Sequence, residues 1–383
     1  MRKNFHTDMW FVSPWDCEAQ VTKDFAFAPK LQLHDVTLRD GEQQAGIILT
    51  KDEKVRIAEK LAEVGVHRIE AGMPAVSPQD EAAIKEIVKR KLGPKIFCFA
   101  RCMKDDVKRA ADCGVEGVVV EIPSSEHIIQ HAYQWELQRA VDLSIEATQY
   151  AKECGLYTVF FPIDFTRADM KWVLDLIEKV ATQGQMDALV VVDTFGGLSP
   201  HAVPYVIQQV KKRIKKPLEA HFHDDFHMGV ANTVMAMAAG VQVAHVTVSG
   251  IGERAGNVPL EDLTLALLTM YDQDMGLKTR KFFELSSLVR ELARVEIPSN
   301  RPIVGPTLFQ VESGIIADWV RNVGYEHALE LSPYRPELVG QKPVEIVLGK
   351  NSGIPSVVEY LERIGRPGAT REQILQMVAK VKE

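Results

Sequence analysis

Eight short runs rich in β-branched and aromatic residues, most of them set off by a stretch of helical period, limit this chain's fold more than any other feature. The runs occupy residues 31–38, 67–71, 95–100, 117–122, 157–163, 188–193, 218–223 and 244–250, and amphipathic stretches at 51–64, 79–90, 135–154, 167–182, 200–214 and 232–239 separate them. Apolar strands alternating with helices predict a parallel sheet covered on both faces. Eight is the number at which such a sheet closes into a β/α barrel. An open doubly wound sheet is the competing architecture, but no Gly-x-Gly-x-x-Gly follows the first run. The expected fold is therefore a (β/α)8 TIM barrel over residues 31–280, preceded by an aromatic-rich extension (1–30) and followed by a linker and small, mainly helical subdomains (281–383).

A barrel of this kind carries its chemistry at the C-terminal ends of the strands. There the sequence ends the first strand on Arg39 and Asp40, the second on Glu70 and the fourth on Glu121, with Arg101 following the third. Asp164 ends the fifth, Asp193 and Thr194 the sixth, and the histidine pair of His221-Phe222-His223-Asp224-Asp225 the seventh. Side chains two apart on a strand share a face, so His221 and His223 can reach one cation, with Asp40 as an oxygen ligand. A His-x-His pair alone serves structural roles more often than metal binding. Glu70 with Arg101 reads equally as a structural ion pair, and Asp193 as a turn cap. Convergence on one rim is what favours a site.

Composition bounds the partners. The formal charge is −7 with no basic block, which argues against nucleic acid and acidic membrane surfaces. No run approaches a membrane span, and no apolar signal-type stretch follows Met1. Five cysteines (Cys17, Cys98, Cys102, Cys113, Cys154) show neither zinc-site nor disulfide-scaffold spacing, so reduced thiols and a cytoplasmic setting are expected.

Leu38-Arg39-Asp40-Gly41-Glu42-Gln43, with Lys54 eleven residues on, resembles the first signature of the 2-isopropylmalate, homocitrate and citramalate synthases. These are metal-dependent aldolase-type barrels related to hydroxymethylglutaryl-CoA lyase. Leu218, His221, His223, Asp224 and Asp225 match the second signature, followed by Gly250-Ile251-Gly252-Glu253-Arg254-Ala255-Gly256-Asn257. The likeness continues through Ile297-Pro298, Ile303-Val304-Gly305, Ser313-Gly314-Ile315 and Leu348-Gly349-Lys350-Asn351-Ser352-Gly353. It implies an acyltransferase that condenses acetyl-CoA with a 2-oxo acid and then hydrolyses the thioester. It further implies one divalent cation (manganese, magnesium, zinc or cobalt) on Asp40, His221 and His223, with the Asn257 carbonyl as a fourth ligand. Arg39 would stabilise the growing alkoxide, and Thr194 matches a threonine that binds the oxo-acid carboxylate. Glu121 and Asp164 complete the expected substrate-binding set. Family analogy implies a homodimer, and the regulatory C-terminal domain of many such synthases has no expected counterpart because the chain stops at Glu383.

Departures from the pattern bear on proton transfer. Ile316 stands where the synthases carry a histidine, Val311 where a second often lies, and Asn351 replaces the histidine of Leu-Gly-Lys-His-Ser-Gly. Ile163-Asp164 replaces a Glu-Asp pair, and His227 a glycine. An isoleucine moves no proton, so another group must. His227 is the leading expectation, with Glu312, Tyr334 and Glu121 as alternatives. A carbon–carbon lyase using the same metal is the second reading, although the Gly-Gly-Cys loop of the lyases is here Gly252-Glu253-Arg254-Ala255-Gly256-Asn257. A non-catalytic relative is the third. Trp10, Phe11, Trp15, Phe25 and Phe27 precede the first strand and are expected to pack on this chain or on a partner subunit.

Overall fold

All eight runs form strands in the computed structural model, which describes residues 4–383. They are β1 (Gln32–Asp35), β2 (Arg68–Glu70), β3 (Lys95–Arg101), β4 (Gly117–Pro123), β5 (Tyr157–Ile163), β6 (Ala188–Asp193), β7 (Leu218–Phe222) and β8 (Val243–Val246). Each pairs in parallel with the next, and β8 returns to β1 through Leu33–Ala244 and His34–His245, which closes the barrel. Strands covered on both faces read as unbroken apolar runs. Val118-Val119-Val120 of β4 and Val190-Val191-Val192 of β6 are accordingly fully buried.

A single turn, α1 (Ala19–Thr22), precedes the barrel. One helix then follows every strand: α2 (Lys51–Val64), α3 (Pro78–Arg90), α4 (Lys104–Asp112), α5 (Leu137–Glu153), α6 (Met170–Gln183), α7 (Val203–Arg213), α8 (Gly229–Ala238) and α9 (Leu260–Tyr271). Their ends follow local chemistry. Thr50 and Glu53 form a reciprocal capping box on α2, which stops at Gly65 with φ of 100°.

Two strands are shorter than the sequence predicts. β1 ends at Asp35 because its carboxylate accepts from the Thr37 amide and hydroxyl, both at 3.0 Å. The Val36 carbonyl then takes the amides of Arg39, Asp40 and Gly41 in a tight turn. Arg39 and Asp40 thus sit in the loop after β1, not on the strand. β8 ends at Val246, where the chain turns through Ser249 (φ 57°), whose amide is held by the Glu261 carboxylate.

Beyond the barrel, α10 (Phe282–Ala293) lies on α2, tied by the Lys60–Glu284 and Lys281–Glu63 ion pairs. A two-stranded parallel ladder, β9 (Gln310–Val311) with β10 (Glu345–Ile346), is accompanied by α11 (Gly314–Val323), α12 (Ile354–Arg363) and α13 (Arg371–Lys382). The N-terminal segment packs on the same chain. Phe11 N donates to Pro333 O at 2.8 Å, and the rings of Phe25 and Phe27 lie 5.8 and 6.1 Å from that of Tyr271. Trp15 does not join this packing and is 76% exposed. No helix among the described residues is long and apolar enough to cross a membrane.

Candidate active site

His221, inside β7, and His223, one residue past its end, point to the same side, as strand alternation requires. Their Nε2 atoms lie 3.3 Å apart, and His221 Nε2 lies 3.5 Å from the Asp40 carboxylate. All three offer ligand atoms within 4.8 Å of one another, and all three are buried.

The donor set fits a cation. His223 Nδ1 stands 3.1 Å from the Gly256 carbonyl, which only accepts, so Nδ1 carries the proton and the Nε2 lone pair faces the cluster. His221 Nδ1 is buried without a partner, as is Asn257 Oδ1, while Asn257 Nδ2 donates to Asp40 at 2.7 Å. Burial holds His221 well below the ordinary imidazole range and lowers His223 as well, which keeps both in the neutral, ligating form.

Arg39 is gripped on three sides. Nε donates to Glu70, Nη1 to Asp40 at 2.6 Å, and the guanidinium lies 4.1 Å from the centre of the Phe99 ring. Nη2 is buried with no partner. Burial opposes the charge, but Glu70 and Asp40 more than offset it and raise the pKa. Glu70 in turn binds His34 Nε2 at 3.1 Å. His34 stacks on His245 with ring centres 4.4 Å apart, His245 meets Glu219 at 2.8 Å, and Glu219 accepts from Arg68 at 2.7 Å.

His34, Glu219 and His245 are also close enough to share a metal. Charge argues against it. Two carboxylates, Glu70 and Glu219, are already matched by two guanidiniums, Arg39 and Arg68, and an added dication in this dry interior would have no counter-charge. This second cluster is a buried ionic scaffold beneath the first.

A cavity of about 190 Å³ opens above Asp40, His221 and His223. Of the sequence-predicted residues, Arg39, Glu121 and Thr194 line it. Thr194 Oγ1 accepts from the Asp164 amide at 2.7 Å, which leaves its hydroxyl proton for a ligand. Other predicted residues do not reach the cavity. The carboxylate of Asp164 is consumed by Arg167 at 2.6 Å and Ser125 at 2.6 Å. His227 sits at φ 56° with its side chain 91% exposed, 3.2 Å from Asp224, so the turn that carries it aims the ring at solvent. Glu312, beside β9, accepts from the Asn351 amide at 2.9 Å and lies in the C-terminal region. Tyr334 packs edge-on against Phe309. Arg101 pairs with Asp106 at 2.7 Å and Glu70 with Arg39, so those two do not pair with each other. Asp193 does bind the turn after β6, accepting from Leu198 N at 3.0 Å.

Sequence reasoning missed the aromatic wall, Phe99 and Phe161, packed edge-to-face with centres 5.4 Å apart. Alternation along β3 and β5 was the available signal. It also missed a neighbouring cavity of about 350 Å³ that shares Arg39, Gln43 and Phe99 with the first. Lys54 stands in its wall, fully buried and ion-paired to Glu42 at 2.5 Å and to Asp80.

Residues 30–289 match the HMGL-like family model. A homocitrate synthase of Methanothermobacter thermautotrophicus is 37% identical over 374 residues, covering 98% of this chain and 93% of that one. A 2-isopropylmalate synthase of Methanocaldococcus jannaschii is 36% identical over 356 residues, covering 92% and 68% respectively. Among solved structures, the hydroxymethylglutaryl-CoA lyase of Bacillus subtilis superposes with a TM-score of 0.64 at 21% identity, over 71% of this chain and 96% of that one, a likeness of fold. The chain belongs to the HMGL-like family, in the group that holds the homocitrate, citramalate and 2-isopropylmalate synthases.

Proposed function

We propose that this protein condenses acetyl-CoA with a 2-oxo acid in a Claisen-type reaction and releases the thiol by hydrolysis. The observation that carries the reading is one cavity in which three ligand side chains, an uncommitted arginine donor and an uncommitted threonine hydroxyl converge. A divalent cation on Asp40, His221 and His223, with Asn257 beside Asp40, would polarise the ketone as a Lewis acid. Mixed nitrogen and oxygen donors suit manganese, magnesium, zinc or cobalt.

The chain's own residues do the rest. Thr194 donates its hydroxyl proton to the oxo-acid carboxylate, held in aim by the Asp164 amide. Arg39 Nη2 donates to the ketone oxygen as that oxygen gains charge, and its orientation is set beforehand by Glu70, Asp40 and Phe99. The adjoining cavity, which shares Arg39, Gln43 and Phe99, receives the thioester. Asp164 contributes through its backbone, and Glu121 faces the substrate from β4. The reading also carries a homodimer and a cytoplasmic setting.

Cleavage of a hydroxyacyl-CoA is the second reading, favoured by the fold shared with the lyases. Condensation is preferred because the relatives at 36–37% identity are synthases and because none of the five cysteines lies in the loop after β8. The test is thiol release from acetyl-CoA by the metal-loaded protein with pyruvate, 2-oxoisovalerate or 2-oxoglutarate. Release that depends on one of them is expected. Absence of release, with cleavage of hydroxymethylglutaryl-CoA instead, overturns condensation.

A further inference from the structure

We propose that Glu121 is the base that takes the proton from the thioester methyl group, an assignment that rests on the condensation reading. Four observations lead to it. First, Glu121 lines the cavity from β4, whose register sets it beside Arg101 of β3 and Phe161 of β5. Second, its carboxyl accepts no hydrogen bond from any described residue. The adjacent Arg101 gives both arms of its guanidinium to Asp106, at 2.7 and 3.0 Å. A carboxylate left unpartnered in an apolar wall is costly, and such groups persist where they meet a ligand.

Third, the other titratable groups of the cavity are committed. Asp40, His221 and His223 form the ligand cluster, Arg39 holds Glu70 and Asp40, and Glu253 is 57% exposed and faces Arg254. Ile163, on the neighbouring strand, carries no proton, and His227, Glu312 and Tyr334 lie outside the cavity. Fourth, burial lifts the Glu121 carboxyl to about 7 against the pull of Arg39 and Arg101, with Asp106 adding to the rise. Tyr133, whose own pKa is raised, faces it from the segment after β4. A base near neutrality is best matched to proton transfer at neutral pH.

The step balances within the site. The Glu121 carboxylate takes a methyl proton, and the C–H electron pair becomes an enolate. The enolate carbon bonds to the keto carbon, and the carbonyl π pair moves onto oxygen beside Arg39. That oxygen recovers the proton from Glu121 to give the tertiary alcohol. Water then cleaves the thioester into a carboxylate and the free thiol.

The test compares wild type, E121Q and E121D, using acetyl-CoA with whichever of pyruvate, 2-oxoisovalerate and 2-oxoglutarate wild type turns over fastest. E121Q is expected to lower kcat at least about a hundredfold, the usual scale for loss of a general base. KM for either substrate should move less than about threefold, and metal content and melting temperature should hold. E121D is expected to keep a measurable rate and to show a larger isotope effect with CD3-acetyl-CoA than wild type, because its shorter reach slows the proton step. That isotope effect decides the matter if E121Q fails to fold. An E121Q enzyme within about threefold of wild type, an effect confined to KM, or an unchanged isotope effect in E121D overturns the assignment while condensation stands. Wild type that releases no thiol with any of the three acids overturns condensation, and this assignment with it.

Discussion

Replacing Arg39 with lysine separates positioning from binding. The arginine spends Nε on Glu70, Nη1 on Asp40, and its flat face on Phe99, and its buried Nη2 has no partner. A lysine ammonium is a single compact charge that can satisfy Glu70 and Asp40 only by staying between them. The two buried carboxylates therefore remain neutralised, and stability should change little. What is lost is the donor aimed at the oxygen that gains charge. Loss of one such donor costs about 3–4 kcal/mol in the transition state, or roughly a hundredfold to a thousandfold in rate. Because that hydrogen bond strengthens only as charge develops, kcat should carry the loss and KM for the 2-oxo acid should rise by less than about fivefold. Steady-state thiol release, with the melting temperature recorded alongside, checks this. A variant whose kcat matches wild type and whose KM alone rises refutes the reasoning, and Arg39 is then a substrate anchor.

The other expectations are briefer. H223A should bind less than about a tenth of the divalent metal that wild type binds, by elemental analysis after dialysis, with an unchanged circular-dichroism spectrum. Full stoichiometry in H223A removes His223 from the ligand set. E219Q should lower the melting temperature at pH 7, because Glu219 is fully buried between Arg68 and His245 and its carboxyl is held at about 2 instead of 4.5. A depressed acid stabilises above its unfolded pKa and loses that contribution as pH falls through the folded one. The shift corresponds to about 3 kcal/mol at pH 7 and roughly half that at pH 3. With an unfolding entropy on the order of 2 cal/mol/K per residue over 383 residues, the pH 7 loss is about 4 °C. An E219Q enzyme that melts with wild type at pH 7 contradicts it. H227N should keep turnover within about threefold of wild type, since the ring faces solvent. A hundredfold loss would show that the loop rearranges to bring position 227 into the cavity.

What could be read from residues alone follows from the range of the forces involved. Strands and most helices were legible because burial on both faces leaves unbroken runs such as Val118-Val119-Val120 and because caps such as Thr50 with Glu53 are local. The ligand pair was legible because strand parity alone puts His221 and His223 on one side. Positions decided by turns were not. His227 is four residues past His223, which looks close, but its left-handed backbone sends the ring outward. Asp164 stands at a strand end like a site residue, yet Arg167, three residues on, captures its carboxylate. That pairing is an i,i+3 contact within one turn. α4, α9 and α11 have no counterpart among the helical stretches read from the sequence. Glu121 was visible as the one acid in an apolar run, Gly117–Pro123, but whether it found a partner depends on strands 3 and 5.

The buried ionic scaffold explains why the rim can diverge while the ligand cluster keeps its form. From Arg68 the contacts run through Glu219, the stacked His245 and His34, Glu70, Arg39 and Asp40. Every contact in this chain is buried, and most of its members sit on β1, β2, β7 and β8. Arg39 is thus aimed from below by Glu70 of β2 and from the side by Phe99 of β3, with Asp40 beside it in the short loop after β1. Groups that polarise the ketone and receive its charge share one half of the barrel. Phe99, Glu121, Phe161 and Ile163 come from β3, β4 and β5 and share no hydrogen bond with the axial chain. Substitutions at Glu121 and Ile163 alter what the cavity admits and where a proton goes without removing a hydrogen bond to Arg39 or the three ligands, whereas Phe99 lies over Arg39 and Phe161 against His221. On this division of labour, an isoleucine at 163 and a carboxyl at 121 are compatible with an intact carbonyl-activating half, and the unusual residues of this chain fall where the barrel tolerates them.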